Sequence, residues 1–346
     1  MPGFPAAEDA MPPKALLKTA PPAASGATPA RWGQLYGAAS ALAVAEYAAG
    51  RDGPVLLVVP DPRDADQLVE ELQFFGGDEL EVLLFPDSET LPYDAFSPHP
   101  DLTSRRLGAM TRLPTMARGV LVVALSTLMQ RLPPVTWLAG SSLTLDTGQR
   151  LDLAALRENL AAAGYAAVSQ VAEHGEFAVR GSIVDIFPMG ADHPYRIDLF
   201  DEDVDSIRSF DPVSQRSLTR YDQIRLLPAR EFPFDDAARD AFKARFRDRF
   251  PDNLNRVQVY RDVGDSNASG GIEYYLPFFF EETDDLFAYL PDSASVVTLH
   301  DPLGSVPAIW AAIVDRYEQL SHDIEHPRLP PEALFLTPDA LAERLS

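Results

Sequence analysis

The apolar and polar positions of the chain change their period twice, which predicts three structural regions. In residues 31–137, short apolar runs alternate with helical patterns. The predicted strands are 55–59, 81–85 and 120–125, and the predicted helices are 36–49, one ending at 75, and 102–117. Continuous apolar strands between helices are typical of a parallel sheet covered on both faces, so this region is predicted to be an α/β domain. Asp61 or Asp64 is a plausible cap for the second helix, and Ser126 for a helix after the third strand.

In residues 138–227 a helical pattern over 151–163, ending at Gly164, is followed by runs of period two. These runs cover 182–187, 195–200 and 204–210, and continue to 222–227. Period-two runs separated by short turns predict an antiparallel meander. A helix on such a sheet makes a small α+β domain inserted into the first one. Its polar face carries three arginines, Arg180, Arg196 and Arg208.

Residues 228–346 are predicted to be mostly helical and to complete the first domain. Helices are predicted over 234–250 and 308–320, and a buried strand over 295–299 that closes the parallel sheet. The aromatic run 271–280 has no interleaved Lys or Arg, so it is predicted to pack in a core. Residues 327–331 and the last fifteen residues are predicted to be an exit linker. Residues 1–30, rich in Pro and Ala, are predicted to be a disordered tail.

Charge and residue composition exclude several kinds of partner and binding site. Lys plus Arg number 29 and Asp plus Glu 52, so the net charge is −23. So acidic a surface repels phosphate backbones, which makes DNA a poor partner and a protein the expected one. The chain has no cysteine, which excludes disulfides and thiolate metal sites. Without a secretory signal or a long apolar run, the expected location is the cytoplasm.

The loop before the first helix has some features of a phosphate-binding loop. Gly33, Gly37, Ala39 and Ser40 occupy it, but the lysine that would contact the phosphates is missing. Asp301, at the position of the acidic magnesium motif, lacks the usual following Glu. We therefore predict a degenerate, RecA-like sheet that binds no nucleotide, and neither a cofactor nor a metal site.

Two long motifs carry a family resemblance. One runs from residue 180 to 211 and begins R-G-S-I-V-D-I-F-P; the other is L-P-Y-D-A-F-S-P-H-P-D at 91–101. Both resemble the excision-repair protein UvrB and are closer still to the transcription-repair coupling factors, over residues 32–346. The long hairpin with which UvrB clamps damaged DNA is missing here, because a helix is predicted a few residues after Pro98.

The resemblance implies a role and its residues. In the family, the positions of Arg180, Arg196 and Phe200 lie in the surface that docks UvrA. Where UvrB has Arg-Val-Arg-Gly, this chain has Ala178 in place of the first arginine, as the coupling factors do. The implied function is a UvrA-recruiting, ATP-independent N-terminal module without enzyme activity. DNA and RNA polymerase would be bound only by other parts of a longer translocase, since no translocase motif occurs here.

Two other functions stay open at this point. One is a UvrB-like repair protein that uses ATP and DNA, against which the missing lysine and hairpin speak. The other is a structural module that inhibits the motor of its own chain and does not bind UvrA.

Overall fold

A computed structural model describes residues 30–345, so the tail predicted for residues 1–30 lies, apart from Ala30, outside the described residues. In chain order the strands are β1 (Gly53–Val59), β2 (Val82–Phe85), β3 (Arg118–Ala124), β4 (Leu143–Asp146), β5 (Ala166–Ala167), β6 (Glu176–Arg180), β7 (Ile183–Ile186), β8 (Tyr195–Phe200), β9 (Asp203–Phe210), β10 (Ser217–Tyr221), β11 (Gln223–Leu226) and β12 (Ser295–Thr298).

The α-helices fill most of the chain between the sheets. In chain order they are α1 (Ala39–Ala49), α2 (Pro62–Gly76), α3 (Pro100–Arg112), α4 (Leu125–Leu128), α5 (Val135–Gly140), α6 (Leu153–Ala162), α7 (Asp236–Arg249), α8 (Gln258–Gly264), α9 (Pro302–Leu320), α10 (Pro331–Leu334) and α11 (Pro338–Arg344). Short 3-10 turns at 272–278 and 286–289 join α8 to β12.

The first sheet is parallel, with the strand order β12-β1-β3-β2. Strand β1 is buried along its whole length, because the sheet is covered on both faces. One face packs against α1 and α2, and the other against α3, α4 and α9. The predicted α/β class is confirmed, and the sheet does combine strands from two distant chain segments.

The second sheet belongs to the inserted region and has the order β10-β9-β8-β7-β6-β5. Its pairs are antiparallel except β5 with β6. Leu156 and Leu160 of α6 pack on one face of it. Strand β10 forms an outer edge, and its pairing with β9 is interrupted by a bulge between Ser217 and Arg220.

The structure corrects two of the predicted strands. The meander does not continue through residues 222–227, because β11 leaves it and pairs with β4 in a separate two-stranded sheet. Strand β12 joins the parallel sheet beside β1 as expected, but it lies at the edge and is only half-buried. Alternating hydrophobicity fits either pairing of β11, so the pattern alone could not choose between them.

Three further predictions also change. Helix α4 begins after Ala124, and the Ser126 side chain does not cap it. Helix α9 begins at Pro302 rather than at 308, because proline is accepted in the first turn of a helix. The predicted exit linker is instead folded: Leu336 is buried and its N–H bonds to the carbonyl of Met129.

Aromatic side chains of the run 271–280 pack as predicted, in a core formed with α7 and α8. Phe278 and Phe279 are buried there against Phe242 and Phe246 of α7. This core holds the third chain segment together and carries the residues that face the inserted domain.

Helix α3 of the first domain packs directly against the inserted domain. The Ser104 hydroxyl of α3 accepts a hydrogen bond from the N–H of Gly190 at 2.8 Å. A Cβ atom on Gly108 would lie 3.2 Å from the Cα atom of Gly190, so the two backbones approach closely. His174 of the inserted region reaches Asp101, with 2.7 Å between Nδ1 and Oδ1.

The buried hydroxyl of Tyr165 makes two hydrogen bonds near this contact between the two domains. It donates to the carbonyl of Leu227 at 2.7 Å and accepts from the N–H of Met189 at 3.3 Å. Burial raises the pKa of Tyr165, so the hydroxyl stays protonated and able to donate. The side chains of Met189 and Leu227 belong to the core below the parallel sheet.

We expect Tyr165→Phe to lower the free energy of unfolding by about 1–3 kcal/mol, because it removes two buried hydrogen bonds worth roughly 0.5–1.5 kcal/mol each. Thermal unfolding followed by circular dichroism would measure the loss. Tyr221→Phe is the matched control, since the hydroxyl of Tyr221 makes no hydrogen bond with any residue that the structure describes. Equal melting temperatures of the two variants would contradict this role.

Candidate functional site: one face of the inserted sheet

The six-stranded sheet has two different faces because side chains alternate along each strand. Ile197 and Leu199 of β8 point into the core beneath α6. Arg196, Asp198 and Phe200 of the same strand occupy the opposite face. Part of that opposite face is covered by residues 168–171, which pack with Ala178, Phe187 and Phe210. The rest, at the ends of β6, β8 and β9, carries partly or fully exposed charged and aromatic side chains.

Asp185 is the centre of this face. It is buried to 1% exposure and lies directly opposite Arg196 in the register of β7 and β8. Arg196 donates from Nε to Oδ1 at 2.7 Å and from Nη2 to Oδ2 at 2.9 Å, a bidentate pair. Arg180 donates to the same Oδ2 atom from the end of β6. A buried carboxylate thus holds two of the three predicted site residues together.

Arg196 makes further internal contacts. Its guanidinium also donates to the backbone carbonyl of Gln215 at 3.3 Å and lies over the ring of Phe210 at 4.7 Å. Its side chain is only 18% exposed, and the hydrogen bonds to Asp185 raise its pKa further above the usual value. The structure therefore places Arg196 below the surface, with its donors directed at the protein itself.

Arg180 and Phe200 are accessible. The side chain of Arg180 is half exposed, although one nitrogen contacts Asp185. Phe200 is 73% exposed at the end of β8, where the two-residue turn Asp201-Glu202 leads into β9. An aromatic side chain this exposed contributes little to the stability of its own domain.

Arg208 belongs to the same face and was not among the predicted partner-binding residues. It lies opposite Arg196 in the β8–β9 register, and its guanidinium contacts Ser206 Oγ at 3.0 Å and Asp198 at 3.7 Å. Its side chain is partly exposed. The period-two pattern placed it on this face, but only the register shows that it borders the Asp185 cluster.

The predicted degenerate nucleotide loop lies elsewhere, before α1. Gly37 has a positive φ of 56°, and there is open space around both Gly33 and Gly37. Ala39 and Ser40 already belong to the first turn of α1. In the described part of the loop, residues 30–38, no strand precedes the helix, whereas a phosphate-binding loop follows a strand directly. Asp301 precedes α9 without capping it.

Neither a metal centre nor a membrane span is found in residues 30–345. No group of three or more His, Asp or Glu side chains there is arranged to hold a metal ion. None of the helices in that range is both long and apolar enough to cross a bilayer. The segment Glu173–Glu176 instead makes internal contacts, with Glu176 accepting from the N–H groups of Ala172 and Glu173.

Sequence comparison assigns a class to the inserted domain. Residues 143–232 match the family described as the UvrB interaction domain, and these residues include β4 to β11 with the whole Asp185 cluster. The chain is therefore a parallel α/β domain that carries a UvrB interaction domain.

Similar proteins extend the match over most of this chain. The transcription-repair-coupling factor of Escherichia coli is 45% identical over 90% of this chain, and that of Haemophilus influenzae is 41% identical over the same share. The Bacillus subtilis protein of this name is 27% identical over 76% of the chain. The resemblance to the N-terminal UvrB-homology region of the transcription-repair coupling factors is thereby confirmed. The chain spans about a quarter of the length of these relatives, 23–27%.

Proposed function

We propose that this chain is a recruitment module that binds UvrA through the uncovered part of the Asp185 face. The observation that carries the proposal is that the exposed side chain of Phe200 and the accessible guanidinium groups of Arg180 and Arg208 lie on one face of the matched interaction domain. Exposed aromatic and arginine side chains are the types most often found at the energetic centre of protein interfaces.

Arg180 and Arg208 are accessible cationic side chains on a chain whose net charge is −23. Each can donate charge-assisted hydrogen bonds to carboxylates of a partner, and Phe200 would enter an apolar pocket of the same partner. The partner surface that fits is thus an apolar pocket bordered by acidic residues. A duplex backbone offers no such pocket, which favours a protein as partner.

Arg196 has a different part in this proposal from the one that the sequence suggested. With its donors used on Asp185 and Gln215, it ties β8 to β7 and to the segment before β10, and it does not itself contact the partner. Arg180 shares Asp185 with it and is the arginine of the pair that remains accessible.

We further propose that the module itself is catalytically silent and independent of ATP. The missing lysine at Gly33–Ser40 and the lack of a strand in residues 30–38 both support this. ATP-driven translocation, and engagement of DNA and RNA polymerase, are assigned to parts of the longer relatives outside the matched quarter. Location in the cytoplasm belongs to the same proposal.

Calorimetric titration of UvrA into the chain tests recruitment. We expect micromolar or tighter binding, weakened at least about tenfold in Arg180→Ala/Arg208→Ala, because charge-assisted hydrogen bonds contribute roughly 1.5–3 kcal/mol each. Arg157→Ala is the matched control, since this exposed arginine lies on α6 at the other side of the sheet. If the wild-type chain fails to bind, the recruitment proposal is wrong and the structural, autoinhibitory module takes its place.

A titration with Mg-ATP distinguishes the recruitment module from the alternative, a UvrB-like repair protein that uses ATP. Saturable binding that Ser40→Ala weakens would support that alternative and refute ATP independence. Lack of binding, together with UvrA binding by the same preparation, would support the recruitment module.

A further inference from the structure

A cavity of about 740 Å³ lies at the carboxyl ends of β2 and β3, between the two sheet domains. Asp87 and Ser126, which follow these strands, form one wall. Gly164, His174 and Met189 of the inserted domain form another. Its volume is in the range of small-molecule sites, roughly 300–1,000 Å³, and the carboxyl edge of a parallel sheet is the usual place for a ligand in α/β folds.

Three arginines line this cavity with donors that nothing in residues 30–345 accepts. Arg131 makes no side-chain hydrogen bond, and Arg316 uses only Nε, which donates to the carbonyl of Pro92 at 3.3 Å. Arg230 has a ring-face contact with Phe234 at 4.9 Å and an electrostatic attraction to Glu273 but no hydrogen bond, and burial lowers its pKa. All three arginines are only partly buried, and an anion in the cavity would accept charge-assisted hydrogen bonds from their free donors.

The carboxylates that line the cavity already have hydrogen-bond partners, with one exception. Glu231 pairs with Arg106 at 2.6 Å, and Asp87 accepts from the hydroxyl of Thr127 at 2.9 Å. Glu273 accepts from Ser97 at 2.9 Å, and burial raises its pKa, which reduces its negative charge. The exception is Glu173, which is exposed at the surface.

Apolar side chains form the remaining lining, among them Ile309, Ile313 and Phe232, with the exposed Leu91 also contributing. An inorganic ion alone would leave these groups without contacts. The lining therefore fits a molecule that has both an anionic group and an apolar body.

From this arrangement we infer that the interdomain cavity binds a small organic anion, through Arg131, Arg230 and Arg316 acting on its phosphate or carboxylate groups. The inference does not depend on the recruitment of UvrA, because the cavity and the Asp185 face have no residue in common. Since the ligand would touch both domains, it would also stabilise their mutual arrangement.

Titration calorimetry and thermal unfolding of the full chain test this site, with AMP and citrate as the anionic probes and adenosine as the uncharged one. We expect one-to-one binding of AMP or citrate with a Kd below about 1 mM, and a rise in melting temperature that adenosine does not produce. Binding of AMP alone identifies phosphate as the recognised group, and binding of citrate alone identifies carboxylate.

The arginine variants make the test specific. Arg131→Gln/Arg316→Gln should weaken the bound probe at least about tenfold. Arg105→Gln, an exposed arginine of α3 outside the cavity, should change binding less than about twofold. Should the double variant not fold, Arg131→Gln alone serves, because it breaks no side-chain hydrogen bond. The inference is overturned if neither anion binds up to about 5 mM, or if the cavity variants bind as the wild type does.

Discussion

Arg196→Ala should lower the free energy of unfolding by about 3–5 kcal/mol, because it leaves the carboxylate of Asp185 buried without its bidentate partner. Asp185 is 1% exposed, so water cannot replace the lost donors without opening the sheet. The same variant also loses the contacts with Gln215 and the ring of Phe210. Urea unfolding of the whole chain, followed by circular dichroism, would measure the change.

Arg180→Ala is the matched control for this prediction. It removes an arginine from the same carboxylate, but the arginine side chain is half exposed. We expect a loss of about 1 kcal/mol or less, as for other exposed ion pairs. Equal losses in the two variants would mean that Asp185 is hydrated and that the register of β7 and β8 does not enforce the pair.

Phe200→Ala should weaken UvrA binding by about 2 kcal/mol or more, which is roughly thirtyfold in Kd, and leave stability unchanged. The binding loss follows from the proposed role of Phe200 as the apolar anchor of this face. Stability should stay the same because the ring is 73% exposed and touches little of its own domain. Calorimetric titration and thermal unfolding of one preparation give both values.

Phe74→Ala controls for non-specific hydrophobic binding by an exposed aromatic ring. Phe74 is 81% exposed on α2, which covers the parallel sheet and does not belong to the interaction domain. We expect its removal to change UvrA binding by less than about 0.5 kcal/mol. Wild-type affinity in Phe200→Ala, or the same loss in both variants, would show that binding does not use this face.

The two arginines on Asp185 should therefore not be tested as one unit. A variant that removes both would lose binding partly because the sheet loses its central ion pair. Arg180 and Arg208, together with Phe200, separate recognition from folding, since each is at least partly exposed.

The sequence predicted the faces of the inserted sheet well, because side-chain alternation is a local property. Strand β8 has the residues predicted for it, 195–200, and Arg196 and Arg208 do lie on the face opposite the core. For the same local reason, Asp61 was available as the cap of α2, and its side chain does accept from the N–H of Arg63. The domain limits themselves remain predictions.

The pairing of strands that are distant in the chain, and the side-chain contacts that depend on it, could not be predicted from the sequence. Arg196 has the pattern of a solvated arginine, and only the pairing of β7 with β8 brings a buried aspartate opposite it. Strand β11 was assigned to the meander because a period of two is common to both sheets, while its partner β4 lies about eighty residues earlier. The cavity arginines, from three distant parts of the chain, had no common pattern to find.

The irregular outer edge of β10 has a consequence for behaviour at high concentration. A regular free edge can pair with the same edge of a second molecule and so begin a growing aggregate. Here the bulge between Ser217 and Arg220 interrupts the even spacing of backbone donors and acceptors, and the exposed Arg216 and Arg220 repel a like strand. The sheet can thus leave one flank open to solvent while resisting the self-association that leads to fibres.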